Sequence, residues 1–323
     1  VAPPLDSLSG AALAAWTPVR VRERTGEIDW ALIDEPFTEP FFEQAADRAM
    51  RHPFNLAFAR RTPLAALHAL HAQAPAIEPA GFIFHMSRCG STLIAQMLAR
   101  LPATIVLSEP QPFDALLRLR ERGADDAVAI GRMRAMLGAL ATRRRGEHRV
   151  FVKFQAWHVL ELPFIVRAFP DVPWIFVFRE PRAVLRSQAR NPGAEVMAGI
   201  LHRSDMESDH SVRDHAPGLE YTARVVAEFC KAALRYAPLG RSAFVDYATL
   251  PDAVSSVVTS FFGVPLASTD VERMREAALR DTKADVVASR VPVLHGGDDG
   301  VIERLAATWL DAPYAALRHA ALR

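Results

Sequence analysis

From Gly81 onward the chain alternates short, unbroken apolar runs with longer stretches in which apolar residues recur every three to four positions. The runs GFIFHM, TIVL, RVFVKF, PWIFVF and SAFVDY are rich in β-branched and aromatic residues, as strands buried on both faces are. Between them, STLIAQMLARL, PFDALLRLRERG, AWHVLELPFIVRAF, PRAVLRSQAR and LEYTARVVAEFCKAALRYA carry helical periodicity. Strands separated by helices predict an α/β unit, a parallel sheet with helices on both faces, over residues 79–323. Residues 1–78 show helical spacing in FFEQAADRAMR and LAALHALHAQ, which predicts a helical N-terminal subdomain. The polar stretch Leu201 to Pro217 reads as a surface loop or lid, and HGGDDG at 295–300 as a turn-rich break.

Composition narrows the functional classes. Hydrophobic residues at 50% and charged residues at 23% are the balance of a folded globular chain. Lys plus Arg (38) barely exceeds Asp plus Glu (37), so no overall charge recruits nucleic acid or an anionic membrane, and any anion site must be local. Two cysteines, Cys89 and Cys230, cannot make a disulfide framework, which fits a reducing compartment such as the cytoplasm. No 18-residue apolar run and no signal-peptide pattern at VAPPLDSLSG is found, so no membrane association is expected.

Two segments carry candidate chemistry. GFIFHM runs directly into Ser87-Arg88-Cys89-Gly90-Ser91-Thr92 and then into a helix. Strand, short loop and helix N-terminus form a site where free N–H groups and the positive end of the helix dipole meet an anion. Gly90 lets the backbone approach a phosphate, Ser91 and Thr92 add hydroxyl donors, and Arg88 adds a fixed charge. The Walker pattern GxxxxGK[ST] is absent. After PWIFVF comes Arg179-Glu180-Pro181, with Pro181 opening a helix and Ser187 two turns on, so that Arg179 and Ser187 could hold a second phosphate. The plainer readings are an ordinary capped turn at 87–92 and a surface ion pair at Arg179.

Taken together, SRCGSTL after the first strand and REPRAVLRS after a later one resemble the sulfotransferases that use 3'-phosphoadenosine 5'-phosphosulfate (PAPS). FVKF with Lys153, VDYATL at 245–250 and FFGVPL at 261–266 look like further segments of that family, so the resemblance spans roughly residues 81–270. It implies a P-loop-like fold in which Ser87, Arg88, Cys89, Gly90, Ser91 and Thr92 bind the 5'-phosphosulfate, and Arg179 and Ser187 the 3'-phosphate. No metal is implied. The chain departs from the family pattern at Arg88, where many members have Lys, and at Cys89, more often Ser. A glycine-rich basic segment for the 3' side is not recognisable; Lys283 and Arg290 are weak stand-ins.

The implied reaction moves a sulfuryl group to a hydroxyl or amine of a small-molecule, carbohydrate or peptide acceptor. Arg88 would neutralise the leaving phosphate and Lys153 would add positive charge. Glu109, in LSEP at a second strand's end, resembles the acidic base of some branches, with burial expected to raise its pKa. Where cytosolic members place a His, two positions after the Lys, this chain has Gln155; His158 and His85 are the further proton-acceptor candidates. Two alternatives stay open, an ATP-dependent kinase-like phosphotransferase and a non-catalytic nucleotide-binding protein. The acidic and His-rich run His202 to His215 lacks a repeated ligand spacing and reads as solvated loop, and Cys89 has no partner order that would make it a nucleophile.

Overall fold

The computed structural model describes residues 13, 15–67, 77–143, 145–196, 218–279 and 299–321. Its centre is a five-stranded parallel sheet of β4 (Pro79–His85), β5 (Thr104–Ser108), β6 (Arg149–Lys153), β7 (Trp174–Phe178) and β8 (Ser242–Asp246), in the order β5-β6-β4-β7-β8. The apolar runs lie where the sequence places them, because each strand is covered on both faces. Phe82, Phe84, Phe151, Trp174, Phe176 and Phe178 are all at most 2% exposed. The chain leaves β4, returns through β5 and β6 on one side, then crosses to β7 and β8 on the other. The carboxyl end of β4 is therefore the switch point at which a crevice opens.

The helices around this sheet include α3 (Ser91–Leu98), α4 (Gln111–Glu121), α5 (Asp126–Leu140), α6 (Leu162–Ala168), α7 (Pro181–Arg190) and α8 (Leu219–Tyr236). AWHVLELPFIVRAF is a 3-10 turn (Ala156–Val159) followed by α6, with Pro163 in the first turn of α6, where no N–H is needed. Helix α5 and the later helices α9 (Ser268–Leu279), α10 (Asp299–Leu305) and α11 (Asp311–Ala320) complete the layers. The apolar positions of α5 fall all around its circumference, so it carries no amphipathic stripe. Among the described residues no helix is long and apolar enough to cross a membrane.

The N-terminal region is not the helical subdomain its periodicity suggested. Strands β1 (Trp16–Arg22), β2 (Glu27–Leu32) and β3 (Arg60–Pro63) form an antiparallel sheet, with α1 (Phe42–Arg51) and α2 (Pro53–Ala57) inserted between β2 and β3. The overlooked signal is the alternation in VRVR, where Val19 and Val21 are buried and Arg20 and Arg22 are not, ahead of a turn closed by Gly26 at φ 66°. Asp29, 4% exposed, joins the strands by accepting from Arg22 Nε (2.8 Å) and Arg61 Nε (2.9 Å). FFEQAADRAMR does form α1, whereas residues 68–73 of the second helical piece lie outside the described residues. The sheet shares one hydrophobic core with the rest of the chain and leans on α4, where Gln111 accepts from Val21 N (3.0 Å) and donates to Val21 O (3.2 Å). That docking places the start of α1 over the crevice beside β5 and β6.

Candidate active site

The loop after β4 is wound against its own preference. Ser87 (φ 71°), Arg88 (φ 51°) and Gly90 (φ 83°) are all left-handed, two of them carrying side chains that disfavour it. The surrounding structure holds each in place. Ser87 N–H donates to His85 Nδ1 (3.1 Å), and Ser87 Oγ accepts from Gln188 Nε2 (3.1 Å). Arg88 Nε donates to Ser187 Oγ (3.2 Å), and Arg88 O accepts from Arg179 Nη1 (3.2 Å). Cys89 turns inward, its thiol donating to Val177 O (3.1 Å), and burial pushes its pKa up to about 11. Buried and bonded to Val177 O, the thiol is not presented to the crevice, and Cys89 contributes backbone to the loop. Gly90 is the N-cap of α3 and no side chain caps that helix, so its first-turn N–H groups face the crevice uncapped. Ser91 and Thr92 stand at its first two positions.

Arg179 leaves the end of β7 with its guanidinium 4.2 Å from the Tyr247 ring centre. Glu180 caps α7 by accepting from Arg182 N (2.9 Å) and Ala183 N (2.7 Å), and Pro181 follows as the first helical residue. The arginines of this segment then divide. Arg179 faces the crevice, whereas Arg182 pairs with Glu303 and Asp311 (both 2.7 Å) and Arg186 with Asp299 (3.1 Å), fastening α10 and α11. Ser187 does not line the crevice itself; it holds Arg88, which does.

On the β5–β6 side, Glu109 (φ 56°) donates its N–H to Lys153 O (2.7 Å), and its carboxylate pairs with the Lys153 ammonium. Lys153 is 1% exposed, with its ammonium 5.2 Å from the Phe41 ring centre. The expected upward shift of Glu109 does not occur. Burial alone would raise its pKa, but Lys153 and His85, whose Nε2 is 3.5 Å away, outweigh burial and hold the carboxyl well below the usual range. His85 has Nδ1 occupied by the Ser87 amide, which leaves Nε2 as the donor, 3.1 Å from Phe154 O. It orients the loop and is not free to take a proton. His158 is also corrected. It is 2% exposed and turned away from the crevice, with Nε2 3.0 Å from Asp114.

These groups line one cleft of about 650 Å³ that includes Ser87 to Thr92, Glu109, Lys153, Gln155 and Arg179. A depression of similar size, about 660 Å³, lies by α6 and α8, but its Arg120, Arg167, Asp126 and Glu161 pair with one another. The site has members that sequence reasoning missed. Gln188 is buried and ties Ser87 to Gly193 N (2.7 Å), Tyr247 underlies both Gly90 and Arg179, and Phe41, Glu43 and Trp157 form a wall. Tyr247 lay in VDYATL, a segment that carries the family resemblance, whereas the others lay in pieces read only as helices. Lys283, Arg290 and the 201–217 stretch lie outside the described residues. Among the described residues no group of three or more His, Cys, Asp or Glu is arranged to hold a metal ion.

No protein-family profile matches the sequence, and no curated protein sequence matches it. Solved structures do. Sulfotransferase STF9 from Mycobacterium avium aligns over 96% of this chain and 98% of its own, with a TM-score of 0.50 and 17% identity. The sulfotransferase domain of the Synechococcus PCC 7002 olefin synthase aligns over 76% of this chain and 94% of its own, with a TM-score of 0.43 and 16% identity. The alignment with STF9 runs nearly end to end and takes in the parallel sheet. The fold of this chain is the P-loop-like α/β fold of the sulfotransferases.

Proposed function

We propose that the protein is a sulfotransferase that binds PAPS and transfers its sulfuryl group to a hydroxyl or amine. The observation that carries this reading is the convergence, in one cleft, of an uncapped helix N-terminus preceded by a left-handed loop with two guanidinium groups delivered by different strands. That arrangement fits a donor with phosphates at two ends. A Cβ at Gly90 would meet Tyr247 at 2.7 Å, so the backbone there is kept bare. The amides of residues 87–92, the Ser91 and Thr92 hydroxyls and Arg88 hold the 5' side; Arg179, with Ser187 steadying Arg88, serves the 3' side. The absence of a Walker lysine disfavours ATP.

In an in-line transfer the bond from sulfur to the phosphate oxygen breaks as the bond to the acceptor forms, and Arg88 and Lys153 stabilise charge where it develops. Glu109 accepts a hydrogen bond from the attacking O–H or N–H. Its low proton affinity suits a late transfer, once bonding to sulfur has made that proton acidic. Because Glu109 is ionised far below neutrality, the rate should show no acidic limb from this residue between pH 5 and 8, and a profile of kcat/KM against pH checks it.

The direct test is calorimetric titration with 3'-phosphoadenosine 5'-phosphate and, separately, ATP. The bisphosphate should bind in preference to ATP, and Arg179→Ala should weaken it about 10- to 100-fold, the loss of a charge-assisted contact. Preference for ATP would transfer the assignment to a kinase-like enzyme. Bisphosphate binding without transfer to any acceptor would leave a nucleotide-binding protein.

A further inference from the structure

We propose that the acceptor carries a protonated amine and that Glu43, at the cleft mouth beside Phe41 and Trp157, recognises it. The inference rests on the sulfuryl-transfer reading for its meaning, but its geometry stands separately. The cleft has two unlike sides, set by strand order. Arg88 and Arg179 follow β4 and β7; Glu109, Lys153, Gln155 and Trp157 follow β5 and β6, and the N-terminal unit overhangs this second side with Phe41 and Glu43.

On this side the Lys153 and Trp157 donors are engaged, and two acceptors, Glu43 and the Gln155 amide oxygen, are left unanswered among the described residues. The Lys153 ammonium is paired with Glu109 and lies against the face of Phe41. The Trp157 indole N–H is used by Asp114 Oδ1 (2.9 Å), which fixes the ring as a wall. The Gln155 amide oxygen is buried and has no hydrogen-bond partner among the described residues. Glu43, in the first turn of α1, is exposed at the mouth, and no ion pair or hydrogen bond of its side chain is found among the described residues. The charges that face it are Asp47 on its own helix, Arg20 on β1, Glu109 after β5 and Asp114 on α4. Arg20 itself engages Asp47 at 3.5 Å. Burial first, then Asp47, Glu109 and Asp114, outweigh Arg20 and raise the Glu43 pKa; those three carboxylates each have a cation of their own, in Arg20, Lys153 and Arg118, whereas Glu43 has none among the described residues. An alkylammonium brings the missing charge and the missing donors together, and its carbon chain suits the aromatic faces of Phe41 and Trp157.

The test uses two phenols of similar shape, tyramine with its ammonium and 4-propylphenol with a neutral tail. Each is titrated by ligand-observed NMR into the free protein and into its complex with 3'-phosphoadenosine 5'-phosphate. Tyramine should bind about fivefold more tightly, the scale of one partly exposed charge pair with an aromatic contribution, and the preference should shrink with added salt. Glu43→Gln should bring the two affinities together while the protein still binds the bisphosphate, and Glu43→Asp should retain part of the preference. Equal binding of both phenols by the wild type, no binding of either, or a preference that survives Glu43→Gln would overturn the proposal. Failure of the bisphosphate to bind sinks the sulfuryl-transfer reading instead, and the free-protein titrations still decide whether Glu43 selects a cation.

Discussion

Gly90→Ala should cost at least about 100-fold in affinity for 3'-phosphoadenosine 5'-phosphate. Two penalties combine. At φ 83° a side chain costs about 1–2 kcal/mol. The new Cβ would also lie 2.7 Å from Tyr247 Cδ2 and 3.0 Å from Leu250 Cδ1. The Tyr247 ring cannot yield without consequence, because the Arg179 guanidinium rests on it at 4.2 Å. Displacing that ring disturbs the second phosphate anchor as well as the first. Loss of a charge-assisted contact adds about 1.5–3 kcal/mol, and the sum reaches the stated factor. Gly146→Ala is the control, since Gly146 is also left-handed (φ 81°) but has nothing within 4 Å of the added carbon. It should lower stability by about 1 kcal/mol and leave nucleotide affinity intact. Calorimetry on both variants separates backbone strain from site disruption, and normal binding by Gly90→Ala would remove the loop from the phosphate site.

The contrast between the loop and its supports marks how far the sequence could be read. The five central strands were legible because burial on both faces leaves continuous apolar runs, and the phosphate loop because a strand, a glycine and a helix start follow one another within ten residues. The N-terminal sheet was not, because its strands lack continuous apolar runs and β3 is separated from β2 by the segment that holds α1 and α2, so helical pieces dominated the local pattern. Pairing across that distance has no signature in a window of residues. The same limit governs the site. Glu109 read as a buried acid whose pKa should rise, since Lys153, 44 positions away, is invisible as its partner until the two strands are adjacent. His158 read as a candidate base because the 3-10 turn that directs it to Asp114 is not encoded in spacing. Gln188 drew no notice beside Ser187, yet the two neighbours clamp consecutive residues of the loop, Ser87 and Arg88.

Glu109→Gln should destabilise the protein by about 3 kcal/mol at pH 7 and lower the transfer rate by about 100-fold or more. The stability loss comes from Lys153, an ammonium only 1% exposed, which keeps the face of Phe41 but loses its one carboxylate partner among the described residues. The estimate sits at the low end for a broken buried pair because the Glu109 side chain is 23% exposed and already partly solvated. Lys153→Met should be milder, since the remaining carboxylate keeps His85 and some water. The double variant should recover to within about 1 kcal/mol of the wild type, because removing both charges removes the desolvation cost of each. The folded carboxyl has a lower pKa than the unfolded one, so its contribution is fully present above the unfolded value of about 4.3. It is lost as pH falls toward the folded value. The stability gap between wild type and Glu109→Gln should therefore be constant from pH 6 to 8 and narrow below about pH 4. Urea denaturation of the four proteins at pH 7, 5 and 3 measures all of this. A double variant no more stable than Glu109→Gln, or a gap that widens in acid, would show that the pair does not hold the wall of the cleft.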